Sequence, residues 1–284
     1  MKIIKYFFEF VFIYAFLIIF KIIGYKNASN LGAIIGKNIG PLFRSNSKIQ
    51  SNLENSNIGS SQEDRKSIIN NMWGNYGRIL SEYVYLKQFR KNNLNQFIEI
   101  EGLNYLNEIK NNNKQVVFIS GHFNNFELMA MEIEKAGINL CAIYRPLNNP
   151  FLNIIMEKIR KNHICKNQIK KGMAGTRDLL NLFKKNFSAA LMIDQRVSEG
   201  EDIDLFNRSA KTTTIPAQLV KKYNCDIVPV YIERLKNYHF KLCFYKPVKF
   251  DYNLSHQQIT LELNKILEKM ILKNPDQWIW SHNR

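Results

Sequence analysis

The chain has 284 residues, of which 45% are hydrophobic, and a formal net charge of +16 at pH 7. That length suits one large domain, or a domain with an appendage, and that composition can bury a full core. Charge of this size selects anionic partners, whether a membrane surface, nucleic acid or an acidic protein; four cysteines without a C-x-x-C pair exclude a disulfide framework and read as buried reduced thiols.

Tyr6 to Phe20 is apolar except for Glu9, aromatic-rich, and flanked by Lys2 and Lys5 before it and Lys21, Lys26, Lys37, Arg44 and Lys48 after it. Fifteen helical residues rise roughly 22 Å, short of a hydrocarbon core of about 30 Å, so with Ile22 to Gly24 the segment either spans or lies in the interface. No A-x-A cleavage site follows, which argues against a signal peptide. Residues 1–24 are therefore read as an N-terminal membrane helix and residues 25–284 as the folded domain. The heavier basic flank on the C-terminal side puts that domain in the cytoplasm if the helix spans.

Gly32, Gly36 and Gly40 recur every four residues and form one smooth helical stripe, which predicts a helix packed closely on its own domain. Arg44 to Asp64 is polar and reads as a loop. Ile69, Met72, Tyr76, Ile79 and Tyr83 have helical spacing and predict a helix over Ile68 to Leu86. From Gln115 onward strands and helices alternate. The strands are Val116–Ser120, Leu140–Tyr144, Ala189–Ile193, Ile227–Ile232 and Phe240–Tyr245; the helices are Asn125–Lys135, Pro150–Lys161, Thr176–Lys185, Ile215–Tyr223 and a closing Ser255–Leu272. This is the pattern of an α/β fold, a layered sheet flanked by helices.

The stretch V-V-F-I-S-G-H-F-N-N-F-E, Val116 to Glu127, organises that alternation. A buried strand breaks at Ser120-Gly121, His122 stands at the turn, Asn124 or Asn125 can cap the next helix, and Glu127 sits in its first turn. Active groups in α/β proteins gather outside the carboxyl ends of the strands. A histidine there can take a proton at neutral pH, with a carboxylate on its other ring nitrogen to fix tautomer and charge. The spacing is H-x4-E, unlike the H-E-x-x-H of a zinc helix, so no metal is expected. Arg145 and Asp194-Gln195 leave two further strands on the same edge, and their convergence with His122 and Glu127 marks a site. On residues alone, Arg145 is equally a solvated turn residue, Arg160 a basic residue on an exposed helix, and Asp194 a structural partner of either arginine. His163, His239, His256 and His282 lack such convergence and read as structural.

G-H-F-N-N-F-E resembles the H-x4-D/E box of the lysophospholipid acyltransferase superfamily, and more closely the G-H-x-G-N-W-E box of the lipid A biosynthesis (lauroyl and myristoyl) acyltransferases. Three further stretches agree in order: Y-R-P-L-N-N-P (Tyr144 to Pro150) with Arg160 following, M-I-D-Q-R (Met192 to Arg196), and P-D-Q-W-I-W-S-H-N-R (Pro275 to Arg284). Weaker similarity reaches Gly77-Arg78 and Glu82. Asn124 stands where Gly is usual, Phe126 where Trp is usual, and L-F-N-R (Leu205 to Arg208) where F-F-G-R is common; Asn tolerates left-handed backbone.

The resemblance implies a glycerolipid-acyltransferase-like fold and a membrane-bound O-acyltransferase. In that reading His122 is the general base and Glu127 orients and supports it. Arg145, Arg160, Asp194, Gln195 and Asn125 bind or shape the substrate site, and helix N-terminal N–H groups near Asn124-Asn125 hold the oxyanion. It implies no cofactor; an acyl carrier protein or coenzyme A thioester is co-substrate. It implies acyl carrier protein, an anionic lipid A precursor and the membrane as partners, at the cytoplasmic face of the inner membrane. A different glycolipid or lysophospholipid acceptor remains open within the superfamily. A membrane-tethered nucleic-acid-binding protein needs basic and aromatic residues interleaved on one surface; the lysines here are scattered, and no nucleic-acid partner is expected.

Overall fold

The computed structural model describes residues 2–281. Five helices come first: α1 (Lys2–Ile22), α2 (Tyr25–Phe43), α3 (Asn46–Asn55), α4 (Gln62–Glu82) and, after a 3-10 turn at Tyr83–Tyr85, α5 (Leu86–Arg90). Strands and helices then alternate: β1 (Ile98–Glu101), α6 (Leu103–Asn111), β2 (Val116–Ser120), α7 (Glu127–Lys135), β3 (Leu140–Tyr144), α8 (Pro150–Ile159), β4 (Asn167–Lys170), α9 (Met173–Lys184) and β5 (Ser188–Met192). A hairpin of β6 (Glu201–Leu205) and β7 (Arg208–Thr212) interrupts them, before α10 (Ile215–Tyr223), β8 (Asp226–Arg234), β9 (Phe240–Phe244) and α11 (His256–Lys273).

Seven strands form one sheet in the order β1-β9-β8-β2-β5-β3-β4. β8, β2, β5, β3 and β4 run parallel; β9 turns back against β8, and β1 follows β9. Helices cover both faces of such a sheet, so central strands are apolar on both sides, and every residue of β2 is buried. Each fully buried Val, Phe or Ile of that strand contributes about 1.5–3 kcal/mol. From β2 the chain crosses to β3 and β4 at one edge, returns to β5 between β3 and β2, and later places β8 on the other flank of β2. Strand β2 thus stands where the winding reverses, the position at which α/β sheets open a crevice.

The glycine stripe packs α2 on α4. A Cβ added to Gly32 would stand 2.5 Å from the Gly77 carbonyl oxygen, and one on Gly40 would collide with the Trp73 ring. Ser61 begins α4 with a capping box: its side chain accepts from the Asp64 N–H while the Asp64 carboxylate accepts from the Ser61 N–H. All four cysteines are free and buried.

The fold departs from the sequence reading in several places. Within Arg44 to Asp64 lies α3, whose apolar pair Ile49 and Leu53 plugs into the core while its remaining residues are polar. The helix expected over Ile68 to Leu86 starts earlier, at the Ser61 cap, and breaks at Tyr83. The helix after His122 starts at Glu127, with neither Asn124 nor Asn125 as its cap. Helix α8 ends at Ile159, and Arg160–Ile164 form a π turn. Strands β1 and β4 and the β6–β7 hairpin are short and half polar, and periodicity did not separate them from loops. At the hairpin turn Phe206 and Asn207 have φ of 52° and 57°, so Asn207 occupies a left-handed position where glycine is usual.

Candidate active site

The site is a consequence of sheet register. β2 and β5 pair in parallel with Ser120 opposite Met192, and the Ile193 N–H donates to the Ser120 carbonyl at 2.9 Å. Two residues beyond each paired position stand His122 and Asp194, leaving the carboxyl edge at the same height. Asp194 Oδ1 lies 2.7 Å from His122 Nδ1. Its Oδ2 accepts from the His122 backbone N–H at 2.7 Å and from Trp278 Nε1 at 2.9 Å. An aspartate fixed by two N–H donors holds a proton on Nδ1 and leaves Nε2 as the basic nitrogen. Gln195 Nε2 lies 3.4 Å from that Nε2, and the Phe126 ring meets the imidazole edge-on at 4.6 Å between centroids. The Asp194 side chain is 1% exposed and that of His122 20%, so the carboxylate is sealed and the imidazole opens outward.

Burial of His122 opposes its protonation. The Asp194 charge and hydrogen bond, with a contribution from Glu127, outweigh burial and raise the imidazole pKa above its ordinary value. Burial pushes Asp194 up, but the His122 charge and the donated N–H groups dominate and hold its carboxyl well below the usual range.

Glu127, in the same H-x4-E box, does not take Nδ1, which is the correction the geometry brings to the sequence reading. Its Oε1 accepts from Arg160 Nε at 2.9 Å, from Arg160 Nη2 at 2.7 Å and from the Tyr83 hydroxyl. Arg160 Nε also donates to the Tyr83 oxygen at 3.0 Å, and its guanidinium lies 5.5 Å from the centre of the Tyr144 ring. Burial disfavours the Arg160 cation, but Glu127 and Tyr83 raise its pKa further. The π turn that Arg160 opens is a helix irregularity common at functional sites.

Asn125 is fully buried and donates from Nδ2 to Glu82 Oε2 at 3.3 Å. Asn124 takes φ of 45°, the left-handed turn expected of it, and donates from Nδ2 to the Ile232 carbonyl and to Gln277 Oε1. The Asn124 N–H donates to the Gln277 carbonyl and the Phe126 N–H to the Asn124 carbonyl, so these two are already engaged. Among the described residues the buried Oδ1 atoms of Asn124 and Asn125 have no hydrogen-bond partner; a buried acceptor left unpaired costs about 1–3 kcal/mol. Arg145 follows β3 and is exposed. His163 lies in the π turn, His239 packs on Phe97, and His256 opens α11; His282 lies outside the described residues. Among the described residues no group of three His, Cys, Asp or Glu is placed to hold a metal ion.

Two supports were missed in the sequence. One is the buried ion pair of Glu82 with Arg234 (2.7 Å), which joins α4 to β8 behind Asn125. The other is the C-terminal strap. Gln277 Oε1 bridges Asn124 and the Arg234 N–H while its Nε2 donates to the Arg234 carbonyl, and Trp278 holds Asp194. The signal was present in Gln277-Trp278, an amide donor and an indole donor beside each other in the terminal block. A block far from His122 in sequence offers no spacing by which to assign a partner.

The family model described as bacterial lipid A biosynthesis acyltransferase matches residues 1–284. The chain is 25% identical over 262 residues to the lipid A biosynthesis palmitoleoyltransferase of Escherichia coli (strain K12), covering 89% of this chain and 83% of that protein. It is 24% identical over 241 residues to the lipid A biosynthesis lauroyltransferase of the same organism, covering 79% and 73%. To a lipid A biosynthesis acyltransferase of Haemophilus influenzae (strain ATCC 51907 / DSM 11121 / KW20 / Rd) it is 26% identical over 208 residues, covering 67% and 61%.

Proposed function

Because this chain belongs to the bacterial lipid A biosynthesis acyltransferase family, we propose that it moves a fatty acyl chain from an acyl carrier protein thioester to a hydroxyl of a lipid A precursor, with His122 as general base. The observation that carries this reading is the Asp194–His122 pair, which supplies a basic Nε2 at the open edge of the sheet. Nε2 takes the acceptor hydroxyl's proton as the oxygen attacks the thioester carbonyl. The tetrahedral intermediate collapses, the C–S bond breaks, and the leaving thiolate recovers the proton from the imidazolium. Asp194 orients the ring and stabilises its charged form; Glu127 adds a second negative charge nearby and holds Arg160. A positioned base is worth about 10²–10⁴ in rate.

The Gln195 amide, beside Nε2, is a side-chain donor for the developing oxyanion. Arg145 is exposed and its fork suits a phosphate of the acceptor. Arg160, with two N–H groups committed to Glu127, shapes the site from behind. A net charge of +16 suits an acidic carrier protein and an anionic leaflet, which supports action at the cytoplasmic face of the inner membrane.

The test is acyl transfer by the purified full chain, with products read by mass spectrometry. Acyl carrier protein and coenzyme A thioesters are compared as donors, and a lipid A precursor and lysophospholipids as acceptors. Preference for the carrier protein and the lipid A precursor, lost by about 10²–10⁴ in His122→Ala, is the expected result. Faster transfer to a lysophospholipid would assign the other acceptor class, and a fully active His122→Ala would remove the mechanism.

A further inference from the structure

Helix α1 is long and apolar enough to cross a membrane. Its packing points to a different use. Tyr6, Glu9, Phe10, Ile13, Phe16, Leu17 and Phe20, which fall on one helical stripe, are its buried or half-buried residues. That stripe keeps α1 against the domain for about 21 Å of its rise. At its start the Asn149 amide donates to the Tyr6 carbonyl at 2.8 Å, and the Phe151 ring lies 5.7 Å from Phe7 and 5.8 Å from Phe10. At its end the Tyr85 hydroxyl donates to the Phe20 carbonyl at 2.5 Å, and Lys21 Nζ donates to the Val84 carbonyl at 3.3 Å. The opposite face is apolar throughout: Ile4, Phe8, Phe12, Ile19 and Ile22 are 45–77% exposed.

We infer that α1 lies flat in the headgroup layer of an anionic bilayer, with its outward face in lipid and its inward stripe on the domain. A spanning α1 would carry its packing partners with it to every depth of the hydrocarbon. Those partners are polar where α1 would be deepest: the Asn149 amide lies 3.5 Å from the Glu9 carboxylate, near the middle of the helix, and a charge at mid-bilayer costs at least about 2.5–3.5 kcal/mol. Lying flat leaves them in water. It also leaves Lys2, Lys5, Lys21 and Lys26, all exposed on α1 and the start of α2, level with anionic headgroups.

This orientation sets the route to the active site. Asn149 ends the loop that begins at Arg145, and Tyr85 and Val84 belong to the turn whose Tyr83 holds Glu127 and Arg160. The lipid surface is thereby brought beside the elements that frame His122, so an acceptor can approach laterally from the headgroup layer. The inference concerns α1 alone and stands whichever lipid is acylated.

Single cysteines at Ile4, Phe12 and Ile19 sample the start, middle and end of the outward face. The four native thiols are buried, and protein without an added cysteine controls for their labelling. Each full-length variant is spin-labelled and added to vesicles of phosphatidylglycerol and phosphatidylethanolamine, and label depth is read by power saturation. A flat helix puts all three labels at one shallow depth, about 5–10 Å. A spanning helix puts Phe12→Cys about 15 Å deep and the other two near opposite surfaces. A deep middle label would overturn the inference, as would vesicle binding unaffected by Phe8→Asp with Phe12→Asp; the flat arrangement predicts at least tenfold weaker binding for that pair.

Discussion

Two carboxylates stand within reach of the His122 charge, and they reach it by different routes. Glu127 belongs to the histidine's own H-x4-E box and starts the helix after it; Asp194 arrives from the end of β5, 72 residues further on. Sequence proximity favours Glu127 as partner of the ring, yet Nδ1 faces Asp194. The cause is register: Ser120 pairs with Met192, so the second residue after each strand meets the other. Glu127, displaced to the helix start, serves Arg160 and Tyr83 instead. One pair is built around an open basic nitrogen, the other is sealed with side chains 13% and 8% exposed. Neighbouring positions in a motif can therefore divide their labour between proton transfer and the walls of the site.

The sharpest way to break that division is Asp194→Asn, which removes the counter-charge and inverts the preferred tautomer. A fall in kcat of about 10²–10⁴ is expected with the fold intact, against a much smaller loss in Glu127→Gln. Wild-type kcat/KM should fall as pH drops through a value above the ordinary histidine pKa of about 6.5, because the raised imidazole must be neutral to act. Asp194→Asn withdraws a charge that raises this pKa, so residual activity should have its acid limb at lower pH. The pH–rate profiles of both proteins check the sign. A larger loss in Glu127→Gln than in Asp194→Asn would exchange the roles.

A smaller effect on turnover, with a larger one on stability, is expected at the sealed pair. Arg160→Ala leaves the Glu127 carboxylate buried without its cation and should destabilise the protein by about 3–5 kcal/mol, read by denaturant or thermal melting. Turnover should fall by up to about 10²-fold as the site wall shifts. Arg160→Lys keeps the charge but loses the two-pronged contact and should recover only part of both. The combined Glu127→Gln, Arg160→Gln variant should cost less than the sum of the single changes. Additive losses would mean the two residues act separately.

What was legible in the sequence follows the same line. The buried β2 run, the α/β alternation, the membrane-suited N-terminal helix and the gathering of His122, Arg145, Asp194 and Gln195 at one edge were readable, because strand ends and turns are written locally. The partner of Nδ1 was not, because it depends on which strands are neighbours and in what register. Helix α3 was hidden for a related reason: only Ile49 and Leu53 face the core, too few to form a period. The Glu82–Arg234 pair and the Gln277–Trp278 strap were hidden because each spans more than 40 residues to reach its contact. Asn124 was legible for the opposite reason, since a left-handed turn is a property of one residue.

The smallest effect tests the far side of the catalytic pair. Trp278, in the C-terminal strap, gives Asp194 Oδ2 one of its two N–H donors. Trp278→Phe keeps the ring's bulk and deletes that donor. Asp194 then shares its charge with fewer protons and pulls harder on Nδ1–H, so the His122 pKa should rise and the acid limb of kcat/KM should move to higher pH. This is opposite in sign to the shift in Asp194→Asn. Loss of a positioning hydrogen bond should also lower kcat by about three- to tenfold, or roughly 0.6–1.4 kcal/mol. A purely structural Trp278 would lower the melting temperature and leave the pH profile where it was. A limb displaced upward at unchanged KM, beside the downward displacement in Asp194→Asn, would place the indole in the chain of contacts that sets the basicity of Nε2.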